Sequence, residues 1–214
     1  MTKDIFFNIM VRTSNRPNYF SDCIKSIRSQ IYENYRIIVS VDNYFSKKYV
    51  EKLNLKPVYI DLIKKKKFKN YAPYNLYINE LYKYVNDGYI LILDDDDEFT
   101  KSNSLELLCK EIKLNKNSKE NLFIFKSKLS SQLTVPRNYS ANKIIYPGNV
   151  TSCGFCIHSK WIFATKWDEF KESDFRVINK LNLVTDKTIL ISNTLTKIQT
   201  LNQPGLGQQK DKIC

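Results

Sequence analysis

The residues Tyr89-Ile90-Leu91-Ile92-Leu93 are uniformly apolar, follow the turn sequence Asn86-Asp87-Gly88, and run directly into four consecutive aspartates, Asp94-Asp95-Asp96-Asp97. A short run without polar alternation reads as a strand buried on both faces, because a half-exposed strand would alternate. Such a strand needs helices packed over its sheet, and the flanking sequence supplies them. Tyr74, Tyr77, Ile78, Leu81, Tyr82 and Val85 precede it at helical spacing. Leu105, Leu108, Cys109 and Ile112 follow it at the same spacing, with Ser102 or Ser104 as the predicted cap.

The same alternation opens the chain. Residues 5–11 form an apolar run that ends in Arg12-Thr13-Ser14-Asn15-Arg16, and Pro17 suits the first turn of a helix, where its missing N–H costs nothing. Phe20, Cys23, Ile24, Ile27 and Ile31 recur at helical spacing and are expected to face the sheet. Residues 36–41 read as a second strand that stops at Asp42-Asn43, and residues 58–63 as a third. Strands alternating with helices predict an α/β fold. Beyond Lys116 the alternation weakens: 122–129, 144–146 and 153–158 look like strands without long helices between them, so the sheet is expected to become mixed. Ser173-Asp174 opens a helix carrying Phe175, Ile178 and Leu181, and 188–192 is a last strand. With 214 residues, 43% of them hydrophobic, the expectation is one domain over 1–201, followed by a flexible tail, 202–214.

A formal charge of +12 favours acidic partners. A nucleic-acid-binding protein would cluster its basic residues on a readable helix or among exposed aromatics. Here the lysines are scattered, and the densest run, Lys64-Lys65-Lys66-Lys67-Phe68-Lys69, reads as a solvated loop between elements. No nucleic-acid partner is expected. The five cysteines are odd in number and widely spread, and Cys153-Gly154-Phe155-Cys156 has no second CxxC to complete a zinc site, so buried reduced thiols are expected. Nothing resembles a signal peptide or a membrane span, which predicts a soluble, cytoplasmic protein, with peripheral membrane association left open.

In an open α/β sheet, ligands bind outside the carboxyl ends of the strands. Three strand ends here deliver polar strings, 12–16, Asp42-Asn43 and 94–97, which are expected to converge on one edge. Four adjacent carboxylates cannot all stay ionised without a compensating cation. Oxygen-only ligands suit Mg2+ or Mn2+, which bridge carboxylates to substrate phosphates and can act as a Lewis acid on a departing diphosphate. The plainer reading of the aspartates is an acidic turn capping the next helix.

These strings together resemble the GT-A glycosyltransferases, in particular glycosyltransferase family two, of the small kind that assembles bacterial or large-virus glycans. The carriers are Arg12-Thr13-Ser14-Asn15-Arg16-Pro17, Cys23-Ile24-Lys25-Ser26-Ile27-Arg28-Ser29-Gln30, Tyr32-Glu33-Asn34-Tyr35, Ile38-Val39-Ser40-Val41-Asp42 and Leu93-Asp94-Asp95-Asp96-Asp97. The resemblance implies a Rossmann-like GT-A fold with a central mixed, mostly parallel sheet flanked by helices. It implies a nucleotide-sugar half over about 1–100 and an acceptor half over about 101–201. Thr13 and Arg16 would line the nucleotide pocket, and Asp42 would accept a hydrogen bond from the base. Asp94 would touch the ribose or a metal-bound water, and Asp96, with Asp94, would hold the metal. Asp95 and Asp97 would add charge, and Asn75 and Asn79 would lie near the donor. Asp174, in Glu172-Ser173-Asp174-Phe175, matches the family's general base, with Ser173 where a glutamate is usual and able to cap the helix. Trp161, Phe163 and Trp167 could form a sugar platform or pack in the core.

The reading that follows is metal-dependent, inverting transfer of a sugar from a nucleotide sugar to a hydroxyl of a glycan acceptor, with UDP the first choice of donor nucleotide and GDP the second. The histidine that many members place after the last strand is missing, since none follows His158; the segment 199–208 could supply another contact. A sugar-nucleotidyltransferase is the enzymatic alternative, but it calls for a glycine-rich phosphate loop after the first strand, and no glycine precedes Gly88.

Overall fold

A computed structural model describes residues 4–61, 70–137 and 144–199. The lysine run 64–69 and the tail 202–214 lie outside the described residues. Strand β1 (Phe7–Arg12) leads into α1 (Pro17–Arg28), β2 (Tyr35–Val41), α2 (Tyr44–Lys52) and β3 (Pro57–Tyr59). A 3-10 turn at Pro73–Asn75 precedes α3 (Leu76–Tyr82), β4 (Tyr89–Asp94), β5 (Asp97–Phe99) and α4 (Ser104–Leu114). The remaining strands and α-helix are β6 (Asn121–Lys128), β7 (Thr134–Val135), β8 (Phe155–His158), α5 (Ser173–Val184) and β9 (Lys187–Ile198).

The strands are ordered β3-β2-β1-β4-β8-β6-β9-β5, with β7 paired to β6. Strands β3, β2, β1 and β4 run parallel. Strand β8 is antiparallel to both β4 and β6, so β6 and its parallel neighbour β9 point the same way as β1. Only β8, β5 and β7, among the described strands, run against that direction. The sheet is therefore mixed and mostly parallel, as expected.

The double burial expected of β4 is present, and it divides the core in two. Tyr89, Leu91 and Leu93 join Phe7, Ile9 and Val11 of β1 against Phe20, Cys23, Ile24 and Ile27 of α1 and Leu105, Leu108 and Ile112 of α4. Ile90 and Ile92 join Met10 against Ile78 and Leu81 of α3 and Val177, Ile178 and Leu181 of α5. Each fully buried aliphatic side chain contributes about 1.5–3 kcal/mol by leaving water. This two-sided burial clamps the carboxyl end of β4 where the aspartates begin.

Several local expectations change. Helix α1 stops at Arg28, so Ile31 leaves the helical stripe and is exposed. Helix α2 has no counterpart among the sequence expectations. Its few apolar residues give a weak periodic signal, and its start is secured by Asn43, whose side chain accepts the Ser46 N–H at 2.8 Å. Residues 144–146 form no strand, and Tyr146 instead accepts the Asn149 N–H in a turn. Strand β9 is much longer than 188–192 and shifts register against β6 around Lys126. The serine caps fail as well: Asn103 and Glu172 hold the N-cap positions of α4 and α5, neither through a side-chain bond. Ser104 Oγ accepts the Lys101 N–H, and Ser173 Oγ accepts the Asp168 N–H. Cys23, Cys109, Cys153 and Cys156 are free and buried, in line with the thiol expectation. No helix among the described residues is long and apolar enough to cross a membrane.

Candidate active site

Parallel pairing sets β1 and β4 in register, with Arg12 level with Asp94. In the sequence Arg12 opens the polar string, but in the fold it is the last residue of β1 and is buried. Its Nε and Nη2 donate to Asp94 Oδ1 and Oδ2, both at 2.6 Å, a two-point ion pair. Its Nη1 donates to the Tyr74 carbonyl and to Asn75 Oδ1, each at 3.3 Å, and the Tyr74 and Trp167 rings each lie 5.7 Å from its guanidinium carbon. Burial opposes the charge on Arg12, but Asp94 outweighs it and the guanidinium pKa is raised.

The other three aspartates face different partners. Asp95 is wholly buried, and its carboxylate accepts from Arg16 at both oxygens and from the Thr13 hydroxyl at 2.8 Å. Arg16 also reaches Asp96 Oδ1 at 3.3 Å. Asp97 does not belong to a loop at all: it begins β5, points inward, and its Oδ2 accepts the Asp94 N–H at 2.8 Å. The acidic string is thus a two-residue turn between two strands, which explains why a solvated acidic loop does not form. Gln199 closes over this turn, its backbone N–H donating to the Asp96 carbonyl at 2.7 Å and its side chain to the Asp95 carbonyl at 3.2 Å.

Electrostatically the turn is short of positive charge, because two guanidinium groups answer four carboxyl groups. Burial, helped by Asp96 and Asp94, raises the Asp95 carboxyl to about 7 against the pull of Arg16 and Thr13. Burial and Asp94 also raise Asp96, and burial with Asp96 and Asp94 drives Asp97 well up. Among the described residues no group of three or more carboxyl, imidazole or thiol side chains converges as a closed metal cage. With more carboxyl groups than guanidinium groups at the turn, the residues present would suit an ion held by one or two carboxylates and completed by phosphate and water, the usual habit of Mg2+ and Mn2+. Asp94 and Asp96, the partly open members of the four at 24% and 13% side-chain exposure, could hold it.

Beside this turn lies a cavity of about 260 Å³ whose lining includes Arg12, Asn75, Asp94, Trp167, Lys171 and Asp174. Asp174 comes from the first turn of α5, where its Oδ1 accepts the Phe175 N–H at 2.8 Å. Burial raises its pKa, only partly countered by that N–H and by Arg12. Asn75 bridges the walls: its Oδ1 accepts from Arg12, and its amide donates to the Phe170 carbonyl at 2.7 Å. Asn79 sits one step back, holding the Trp167 backbone at both its N–H and carbonyl. Of the three late aromatics only Trp167 lines the cavity; Phe163 is 89% exposed, and the Trp161 indole donates to the Lys119 carbonyl.

Of the residues singled out in the sequence, Asn75, Asp94 and Asp174 share this cavity, whereas Thr13, Arg16, Asp95 and Asp96 form the ion-paired cluster beside it. Asp95, expected among the donor contacts, has its carboxylate engaged by Thr13 and Arg16. Asp42 stands outside the cavity lining at the end of β2, held by Ser14, Asn43 and Tyr77. Sequence reasoning misses Arg12, Tyr74 and Tyr77 as site residues. A charged side chain closing an otherwise apolar strand is the available signal for Arg12, whereas the tyrosines are absorbed into a core stripe.

Residues 9–168 match the model of Glycosyl transferase family 2. No curated protein matches the chain. Among solved structures, S. aureus TarS aligns with a TM-score of 0.71 at 17% identity, over 92% of this chain and 37% of its own. TarS 1–349 from S. aureus in complex with UDP-GlcNAc aligns at 0.73 and 17% identity, over 94% of this chain and 60% of its own. The mannosyltransferase PcManGT from Pyrobaculum calidifontis, in complex with GDP-Man and Mn2+, aligns at 0.64 and 11% identity, over 94% and 59%. At these identities the likeness is one of fold, the GT-A fold. The chain spans between 37% and 60% of the length of these structures.

Proposed function

Because the chain belongs to glycosyl transferase family 2, we propose that it moves a sugar from a nucleoside-diphosphate sugar to a hydroxyl of a glycan or glycoconjugate, with inversion and with a divalent metal. The observation that carries this reading is the shared cavity of Asp94 and Asp174. One is a carboxylate at a strand end beside a cation-seeking turn, and the other is a buried carboxyl suited to accept a proton.

In this mechanism the acceptor oxygen attacks the anomeric carbon as the bond from that carbon to the diphosphate oxygen breaks. Asp174 takes the hydroxyl proton, and its raised pKa favours that uptake. Asp94 and Asp96 would hold Mn2+ or Mg2+, which when bound supplies positive charge to the departing diphosphate. Arg12 fixes the orientation of Asp94, and Arg16 does the same for Asp95 and Asp96. Trp167, whose indole N–H donates to the Tyr82 hydroxyl at 3.1 Å, lines the cavity. The Mn2+ and GDP-Man in one structural neighbour, and the UDP-GlcNAc in another, support a metal and a nucleotide sugar without choosing the base.

A screen of nucleotide sugars for hydrolysis, with and without manganese, tests the reading. Turnover of at least one donor is expected, reduced in Asp96→Ala. Absence of turnover with every donor and metal would overturn it.

A further inference from the structure

Five described residues other than glycine adopt a left-handed backbone, and four of them, Asn15, Asn54, Asn70 and Asn117, are asparagines, which tolerate it. The fifth is Glu172, at φ 64°, where a longer side chain makes the conformation costly. Its surroundings hold it there. The Lys171 N–H donates to the Asn70 carbonyl at 2.8 Å, the Asp168 N–H donates to Ser173 Oγ at 3.0 Å, and Arg176 pairs with Asp168 across the same turn. Glu172 occupies the N-cap position of α5, yet its side chain makes no capping bond, so the helix start does not call for a glutamate. Instead the residue lines the cavity, together with its chain neighbours Lys171, Ser173 and Asp174. A costly conformation that the neighbourhood enforces, at a residue the helix does not use, points to a ligand in that cavity.

Resting on the proposed function above, we infer that Glu172 is a specificity-determining residue for the acceptor, and that the acceptor is an uncharged sugar or polyol presenting a second hydroxyl beside the one that Asp174 deprotonates. A carboxylate offers only acceptor oxygens, so it binds a hydroxyl hydrogen and finds nothing to bind in a phosphate or carboxylate group. The balance of charge in the cavity agrees. Arg12 and Asp94 pair with each other, which leaves Glu172 and Asp174 against Lys171. The diphosphate of a donor and a divalent cation largely offset one another, so the negative excess remains when both are bound. An anionic acceptor would be repelled there. It would also oppose the ionised form of Asp174, on which proton uptake depends.

The test measures sugar transfer, from the donor that the nucleotide-sugar screen identifies, to matched pairs of methyl glycosides. Each glucoside, galactoside or mannoside is compared with its uronide, which carries a carboxylate in place of the hydroxymethyl group. At least one neutral glycoside should be glycosylated, with a KM several-fold below that of its uronide. Glu172→Gly suits the left-handed backbone and should be at least as stable in urea as wild type. Its KM for the neutral glycoside should nevertheless rise by on the order of tenfold, the value of one hydrogen bond to a charged group, with kcat less affected. Glu172→Gln keeps an acceptor oxygen without the charge and should narrow the gap between neutral glycoside and uronide. A merely structural Glu172 would alter stability and leave KM alone. The inference is overturned if a uronide is used as well as its neutral partner, if neither folded variant moves the acceptor KM or the neutral-to-anionic ratio, or if no glycoside is glycosylated while wild type still hydrolyses the donor. Absence of donor hydrolysis with every nucleotide sugar and metal instead removes the proposed function itself.

Discussion

Replacing Arg12 with methionine is the sharpest test of how the site is held together. Methionine keeps an unbranched chain of similar reach but leaves Asp94 without its two-point partner and the Tyr74 carbonyl and Asn75 without a donor. Breaking a buried ion pair by removing one member costs about 3–5 kcal/mol, because the other charge stays behind in a poorly solvated place. Asp94 keeps 24% of its side chain exposed and borders the cavity, so water recovers part of its solvation and the lower end, about 3 kcal/mol, applies. For a domain of this size that corresponds to a fall in Tm of about 6–12 °C.

The assay is a double-mutant cycle in urea with Arg12→Met, Asp94→Asn and both together. Each single variant strands one charge, and the double variant strands none. The double should therefore be more stable than the sum of the single losses by about 2 kcal/mol. Additivity within about 0.5 kcal/mol would show that the two side chains do not act as a unit and would refute the reasoning. Reoptimised packing in the double variant cannot mimic the effect in Arg12→Met alone, which must fall by itself.

Asp174→Asn should retain nucleotide binding, measured by titration, while transfer falls about 10²–10⁴-fold, the usual contribution of a general base. A base works only when ionised, and burial raises the Asp174 pKa. As pH falls, transfer should therefore decline at a higher pH than an ordinary aspartate would dictate, and a pH profile of kcat/KM with its acid limb near about 4 would contradict this. Asp96→Ala should abolish the part of donor binding that manganese enhances and that chelation with EDTA removes, read by titration with and without the ion. Leu91→Ala, in the doubly buried strand, should cost about 2–5 kcal/mol in urea, whereas Phe163→Ala, on the surface, should stay within about 0.5 kcal/mol of wild type.

Periodicity exposes the elements that bury a continuous apolar stripe. Tyr89 to Leu93 and the α1 stripe from Phe20 to Ile27 report on local geometry, and both faces of β4 are packed as their composition requires. Helix α2 escapes because it depends on an asparagine cap and on Tyr49 and Val50 alone, too little for a periodic signal. The site is harder to see in detail. The bonds that organise it join residues far apart in the chain: 28 positions separate Ser14 from Asp42, 82 separate Arg12 from Asp94 and 95 separate Asn75 from Phe170. Such pairs are set by sheet register, and residue pattern alone does not reveal which aspartate a given arginine will meet.

That register gives the first connection a role no single residue in it announces. Arg12 holds Asp94, Thr13 and Arg16 hold Asp95, Ser14 holds Asp42, and the Asn15 N–H donates to Ser46 Oγ of α2. Asn15 adopts φ 57°, a left-handed conformation that asparagine tolerates better than most residues, and it turns the chain so that neighbours on either side face different strand ends. Five consecutive residues thus fasten the acidic turn, Asp42 and the cavity wall to one short backbone. Because they share that backbone, a substitution at one position shifts the anchors of the others. Base preference and donor-diphosphate affinity should therefore respond together to changes in 12–16, and substitutions there should combine non-additively with changes at Asp42 and Asp94.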